Sequence, residues 1–232
     1  MKILGIDTST QVASVAVMDE NIVIGEFTIN TKKTHSQKIM PMIENLLFNL
    51  EVDISEIDRI AVANGPGSFT GVRIGVTVAK GLAHAHKTEI VTMSTLAAMA
   101  FNYMDSDYIV CPMIDARRDQ VYSAIYTFDG NKPSVKFEDD IVMIDDLIEK
   151  LKIEVENTSK KVVILGDCVE KFAQRIEDAI EGKLVLSSPT QRITRGSSVA
   201  SASNYIGEKT NYKDAKVNYL RVTEAERNLK NK

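Results

Sequence analysis

Ile60-Ala61-Val62-Ala63-Asn64-Gly65-Pro66-Gly67-Ser68-Phe69-Thr70-Gly71 decides the fold. Its first four residues read as a short apolar strand, the Asn-Gly-Pro-Gly run as a turn-rich loop, and the continuation as a helix to about His86. Upstream, residues 3–6, 12–18 and 22–29 are rich in Ile and Val and read as a meander of three strands, with Asp19-Glu20-Asn21 as the second turn. A helix over 34–50 joins the meander to the short strand: Ile39, Ile43, Leu46, Leu47 and Leu50 recur at helical spacing. Thr34 is placed to cap it while Gln37 reaches back in a capping box, and Pro41 predicts a bend.

The order strand, strand, strand, helix, strand, helix then recurs. Residues 108–114 form an apolar strand ending in Asp115, and 120–128 and 134–138 complete a second meander around Asp129-Gly130-Asn131. Helix 144–152, strand 162–165, Gly166-Asp167 and helix 168–181 follow. Aligning Asp7 with Asp115 brings the strand–glycine junction at Gly65 opposite the one at Gly166. A repeat of this size predicts two similar α/β lobes. The expected bounds are 1–104 for the first lobe, 105–195 for a smaller second lobe, and 196–232 for a C-terminal segment that returns a helix to the first.

At 232 residues, 44% apolar and 26% charged, the chain has the composition of a globular protein with room for two modest cores. The net charge of -4, with basic residues scattered, excludes the class that binds nucleic acid through a broad basic face, so the chain alone is expected to bind nucleic acid poorly. Cys111 and Cys168 stand far apart in apolar surroundings, as free thiols do in a reducing compartment. Asp7 interrupts the amino-terminal apolar stretch, and no run approaches the roughly 18 apolar residues of a bilayer span. The expectation is a cytoplasmic protein without a membrane segment.

Several residues are placed for chemistry. Asp7-Thr8-Ser9-Thr10 ends the first strand, where open α/β sheets gather ligands, but lacks the glycine that lets amides approach a phosphate. A strand-ending turn with local hydrogen bonds is the plainer reading. The loop at Gly65–Arg73 lacks the Lys-Ser/Thr pair of a Walker loop, yet Ser68 or Thr70 can cap the following helix, whose amino end suits an anion. Asp7, Thr8, Gly67, Ser68 and Arg73 are therefore candidate nucleotide or anion contacts. Gly71, Gly75, Ala79 and Ala83 recur every four residues as a smooth ridge for another helix, of the same lobe or of another protein. Asp115-Ala116-Arg117-Arg118-Asp119 presents acids and guanidiniums together, either to recognise an anion or as a mutually satisfied surface cluster. His35, His84 and His86 lack chelating spacing, so no metal ligands are assigned.

These segments resemble the TsaB (YeaZ) family across essentially the whole chain. The resemblance rests on Ile3–Thr10, on Thr34-His35-Ser36-Gln37 with Pro41, on Gly65–Gly75 followed by Ala79-Lys80-Gly81-Leu82-Ala83, on Ile114–Arg118 and on Val217-Asn218-Tyr219-Leu220-Arg221. It implies a duplicated actin and Hsp70-like (ribonuclease H-like) fold in the bacterial cytoplasm. It also implies a supporting role, without catalysis by this chain alone, beside the paralogue TsaD in making N6-threonylcarbamoyladenosine at position 37 of tRNAs that read codons beginning with adenine. TsaD would hold the metal and transfer the group, TsaE would supply ATPase activity, and tRNA would be met only through the complex. No cofactor is expected on this chain, ATP and a metal being used by the wider complex. Family members pair through the two first-lobe helices, with TsaD or, in its absence, with themselves. That makes His35, Ile39, Ile43, Leu46, Gly71, Val72, Gly75, Val76, Ala79 and Leu82 the candidate partner interface.

Two other classes compete. An ATP-dependent phosphotransferase would use Asp7 as base and turn over ATP with magnesium. A metallopeptidase would carry stoichiometric metal, for which His35 standing alone is poor support.

Overall fold

The computed structural model describes residues 1–31 and 34–220. Strands β1 (Lys2–Asp7), β2 (Val12–Asp19) and β3 (Ile22–Asn30) form an antiparallel meander, with Lys2 opposite Asp19 and Asp7 opposite Ser14. Helix α1 (Ile39–Leu50) leads to β4 (Arg59–Ala63), parallel to β1, and α2 (Phe69–His86) leads to β5 (Glu89–Met93), parallel to β4. After helix α3 (Thr95–Ala100), the scheme repeats with β6 (Tyr108–Asp115), β7 (Gln120–Asp129), β8 (Lys132–Met143), α4 (Ile144–Thr158), β9 (Lys161–Gly166), α5 (Val169–Ile180) and β10 (Leu184–Leu186). Helix α6 (Gly196–Ala202) and β11 (Glu208–Thr210) then return to the first sheet. The sheets run β11-β5-β4-β1-β2-β3 and β10-β9-β6-β7-β8, so one strand order is used twice.

The side-chain alternation of each strand feeds two cores. Leu4, Ile6, Ile60 and Val62 meet α1 and α2 on one face of the first sheet, while Ile3, Ala61 and Ala63 on the other face join α3, α6 and the second sheet. Ile109, Val162 and Ile164 pack beneath α4 and α5. The result is five layers, with the short, Ala- and Ser-rich helices α3 and α6 between the sheets.

Four local expectations need correction. A 3-10 turn over His35–Gln37 precedes α1, and Thr34 makes no side-chain cap, so the expected capping box is absent. Because the α-helix starts only at Ile39, Pro41 lies in its first turn, where an N–H has no intrahelical acceptor, and the cause of the expected bend is gone. β5 and α3 occupy a stretch to which the sequence reading assigns no element, being too short to express a period. β8 continues well past residue 138 because it pairs with β7 up to Met143.

Beyond β11, residues 211–220 form a non-helical strap along α2. The Tyr212 ring lies 4.3 Å from that of His84. Lys80 Nζ donates to the carbonyls of Lys213 (3.4 Å) and Ala215 (3.2 Å), and the Asn218 amide donates to Asn64 O at 2.8 Å. Arg221, the last residue of the carboxyl-terminal stretch quoted above, lies outside the described residues.

Candidate functional site

The glycine loop crosses directly over the end of β1. The Ser68 amide donates to Ser9 O at 2.6 Å, and Thr8 Oγ1 donates to Gly71 O at 2.7 Å. A Cβ on Gly67 would sit 2.2 Å from Ser9 O, and one on Gly71 2.1 Å from Thr8 O. The glycines are thus required by backbone meeting backbone inside the chain. In consequence Asp7 and Thr8 are fully buried and do not line the cleft, which corrects their reading as candidate ligand contacts. Asp7 Oδ1 accepts from the Ser9 amide (2.8 Å) and hydroxyl (2.6 Å), while Oδ2 is buried with no hydrogen-bond partner. Burial pushes the Asp7 carboxyl up to about 6, against the two Ser9 bonds that pull it down.

Between the lobes lies an open cleft of about 1130 Å³. Gly67, Ser68 and Phe69 line it from the first lobe, Asp115, Arg117 and Tyr122 from the second, and Val217–Leu220 from the strap. Ser68 caps α2 by accepting from the Gly71 amide at 3.3 Å. His35 also lines the cleft, its Nε2 donating to Thr10 O at 2.7 Å, with Nδ1 buried and unpartnered. Among the described residues no three His, Cys, Asp or Glu side chains come together to hold a metal. The Arg73 guanidinium stacks 3.6 Å above the Phe69 ring, and its Nε donates to Tyr219 OH. It ties the strap to the start of α2.

The acids of the β6–β7 tip do not pair with its arginines. Lys171 Nζ approaches Asp115 at 3.7 Å and Asp119 at 3.5 Å, leaving Arg117 and Arg118 exposed. The Asp115 amide donates to Asp167 Oδ1 at 2.9 Å, and burial raises the Asp167 carboxyl above its ordinary range.

The candidate partner residues divide by helix face. Ile39, Ile43, Leu46, Gly71, Val72, Gly75, Val76 and Ala79 are buried in the first lobe's own core, so the small-residue ridge serves the lobe's own sheet, not a partner. His35 and Leu82 are half-buried. The outward faces carry different residues: Pro41, Glu44, Asn45 and Phe48 on α1, and Thr70, Thr77 and Gly81 on α2. Phe48 is 81% exposed. A Cβ on Gly81 would meet nothing within 4 Å, so nothing among the described residues requires glycine there. The sequence signal for this surface was an apolar Phe48 off the Ile39–Leu50 stripe and a mid-helix glycine off the ridge.

Two lobes of one strand order facing across a cleft define a duplicated, two-lobed α/β protein. The chain matches the family described as "TsaD: tRNA N6-adenosine threonylcarbamoyltransferase" over residues 23–218. The tRNA threonylcarbamoyladenosine biosynthesis protein TsaB of Bacillus subtilis (strain 168) is 35% identical over 229 residues, covering 97% of this chain and 96% of that protein. Its namesake from Escherichia coli (strain K12) is 38% identical over 133 residues, 56% of this chain and 57% of that protein. Among solved structures, YeaZ from Pseudomonas aeruginosa superposes with a TM-score of 0.78 at 25% identity, covering 94% of this chain and 99% of that one. The chain belongs to the TsaB family. Among the described residues no helix is long and apolar enough to cross a membrane.

Proposed function

We propose that this chain is the non-catalytic partner of a TsaD-type transferase in forming N6-threonylcarbamoyladenosine at position 37 of tRNAs reading codons that begin with adenine. It docks through the outward faces of α1 and α2, on TsaD or, when TsaD is absent, on a second copy of itself. TsaE joins the assembly, which as a whole uses ATP and a metal. Family membership supports the pathway. The single observation that carries the docking mode is the exposure of Phe48 and Gly81: a mid-helix Gly costs the isolated chain about 1 kcal/mol relative to Ala, and Phe48 leaves a large apolar ring in water. A partner helix that approaches closely gives both a use.

Gly81→Trp tests this. The open space at Gly81 leaves the fold intact, while a large side chain blocks close approach. Gel filtration and tRNA modification assays with the purified transferase should then show a folded variant that neither associates nor supports modification. Full association by this variant would refute the docking face. The phosphotransferase reading requires Asp7 to reach a nucleotide, and its carboxyl lies beneath the glycine loop.

A further inference from the structure

Seven arginines fall among the described residues. Four pair with carboxylates: Arg59 with Glu89 at 2.8 Å, Arg192 with Glu170 at 2.5 Å, Arg175 with Asp145 and Arg195 with Glu26. The remaining three, Arg73, Arg117 and Arg118, have no carboxylate partner among the described residues, and all three flank the mouth of the cleft. Arg117 lines it, Arg118 is its neighbour on the β6–β7 tip, and Arg73 is held by Phe69 and Tyr219, which also line it.

The tip is built at a cost. Arg117, Arg118 and Asp119 have φ of 66°, 54° and 56°, three successive left-handed residues without a glycine. Such conformations cost on the order of 1–3 kcal/mol each and persist where surroundings over-determine them. Here the Arg117 amide donates to Asp115 Oδ1 (3.0 Å), the Gln120 amide to Arg117 O (3.1 Å) and the Ile144 amide to Asp119 O (2.9 Å). Because Lys171 answers Asp115 and Asp119, neither guanidinium is consumed locally. Across the mouth, the Phe69 and Tyr219 rings lie 5.3 Å apart and are each 42% exposed. Guanidiniums interleaved with exposed rings are the means by which proteins hold unpaired nucleotides, phosphates on the cations and bases on the ring faces.

We propose that the cleft mouth contacts a single-stranded stretch of RNA, its phosphates on Arg73, Arg117 and Arg118 and an unstacked base against the exposed faces of Phe69 and Tyr219. The inference rests on the reading that this chain works in a tRNA-modifying assembly. The net charge of -4 opposes RNA binding by the free chain, so the contact operates once partners have brought the RNA close.

The test uses the full chain assembled with the transferase and an in vitro tRNA transcript, with affinity read by fluorescence anisotropy over a series of salt concentrations. The triple variant Arg73→Gln, Arg117→Gly, Arg118→Gly removes the charges; the two glycines relieve left-handed strain while Arg73→Gln gives up the contacts to Phe69 and Tyr219, and a circular dichroism melt establishes that the variant is folded at the assay temperature. The expected result is affinity reduced about tenfold or more at low salt, and a log–log salt slope shallower by about 2, at roughly 0.7 per single-strand phosphate contact. Unchanged affinity and slope overturn the proposal. So does a variant that fails to enter the assembly, which would make the mouth a docking surface for an acidic protein segment. Gly81→Trp keeps all three arginines: if it assembles normally, the docking reading falls while the RNA comparison still stands.

Discussion

Asp7 is a fully buried carboxylate, with one oxygen bonded to Ser9 and the other without a hydrogen-bond partner among the described residues. Its proton is held more tightly in the folded chain, where the carboxyl titrates near 6, than in an unfolded chain with the ordinary 3.8. The stability this proton contributes is therefore present below about pH 4 and lost as pH rises through 6. Asp7→Asn removes that dependence. Measured by urea denaturation, the stability of the variant relative to wild type should rise by about 3 kcal/mol between pH 4 and pH 8, two pH units at about 1.4 kcal/mol each. A constant difference across that range would mean that Asp7 is solvated. The sequence placed Asp7 correctly at a strand end, because alternation and a polar stop are local signals. Its burial was illegible, since the lid over it comes from Gly67–Gly71, sixty residues away in the chain.

At the level of elements, the two first-lobe helices were legible in position and misleading in orientation. The spacing Gly71, Gly75, Ala79 identifies a surface that permits close packing, but a sheet and a partner helix make the same demand. The buried contacts of Val76 and Ala79 decide for the sheet. Val76→Asp should accordingly unfold the lobe, by about 3 kcal/mol or more for an unpaired buried charge, rather than dissociate a folded monomer; circular dichroism melts distinguish the two. Gly81→Ala, on the opposite face, should raise stability by about 1 kcal/mol through helix propensity in the same melts. The strap shows the same limit. Val217–Leu220 reads as a motif, yet its reason lies in Asn64, Arg73 and Lys80, which receive the strap along α2.

For the whole molecule, the lobes are joined through a small polar bridge as well as the α3–α6 layer. Asp139 of β8 accepts from Ser94 Oγ of the first lobe and from Tyr126 OH of the second at 3.0 Å. Asp139→Leu strands both hydroxyls, an expected loss of about 2–4 kcal/mol in chemical denaturation, whereas Asp139→Asn keeps one acceptor oxygen and an amide that the other hydroxyl can accept from, and should lose less. Equal losses would indicate that packing alone holds the lobes. The sequence by itself determined the duplication, the two meanders and the order of their helices, because periodicity, turn residues and the Asp7/Asp115 alignment are written along the chain. Only the tertiary structure decided which helix faces stay outside, that the glycine loop seals a carboxylate instead of opening a site, and that Lys171 answers the acids beside Arg117. Each of these depends on which groups meet across long sequence separations, and burial and charge pairing are properties of that meeting, not of the residues taken in order.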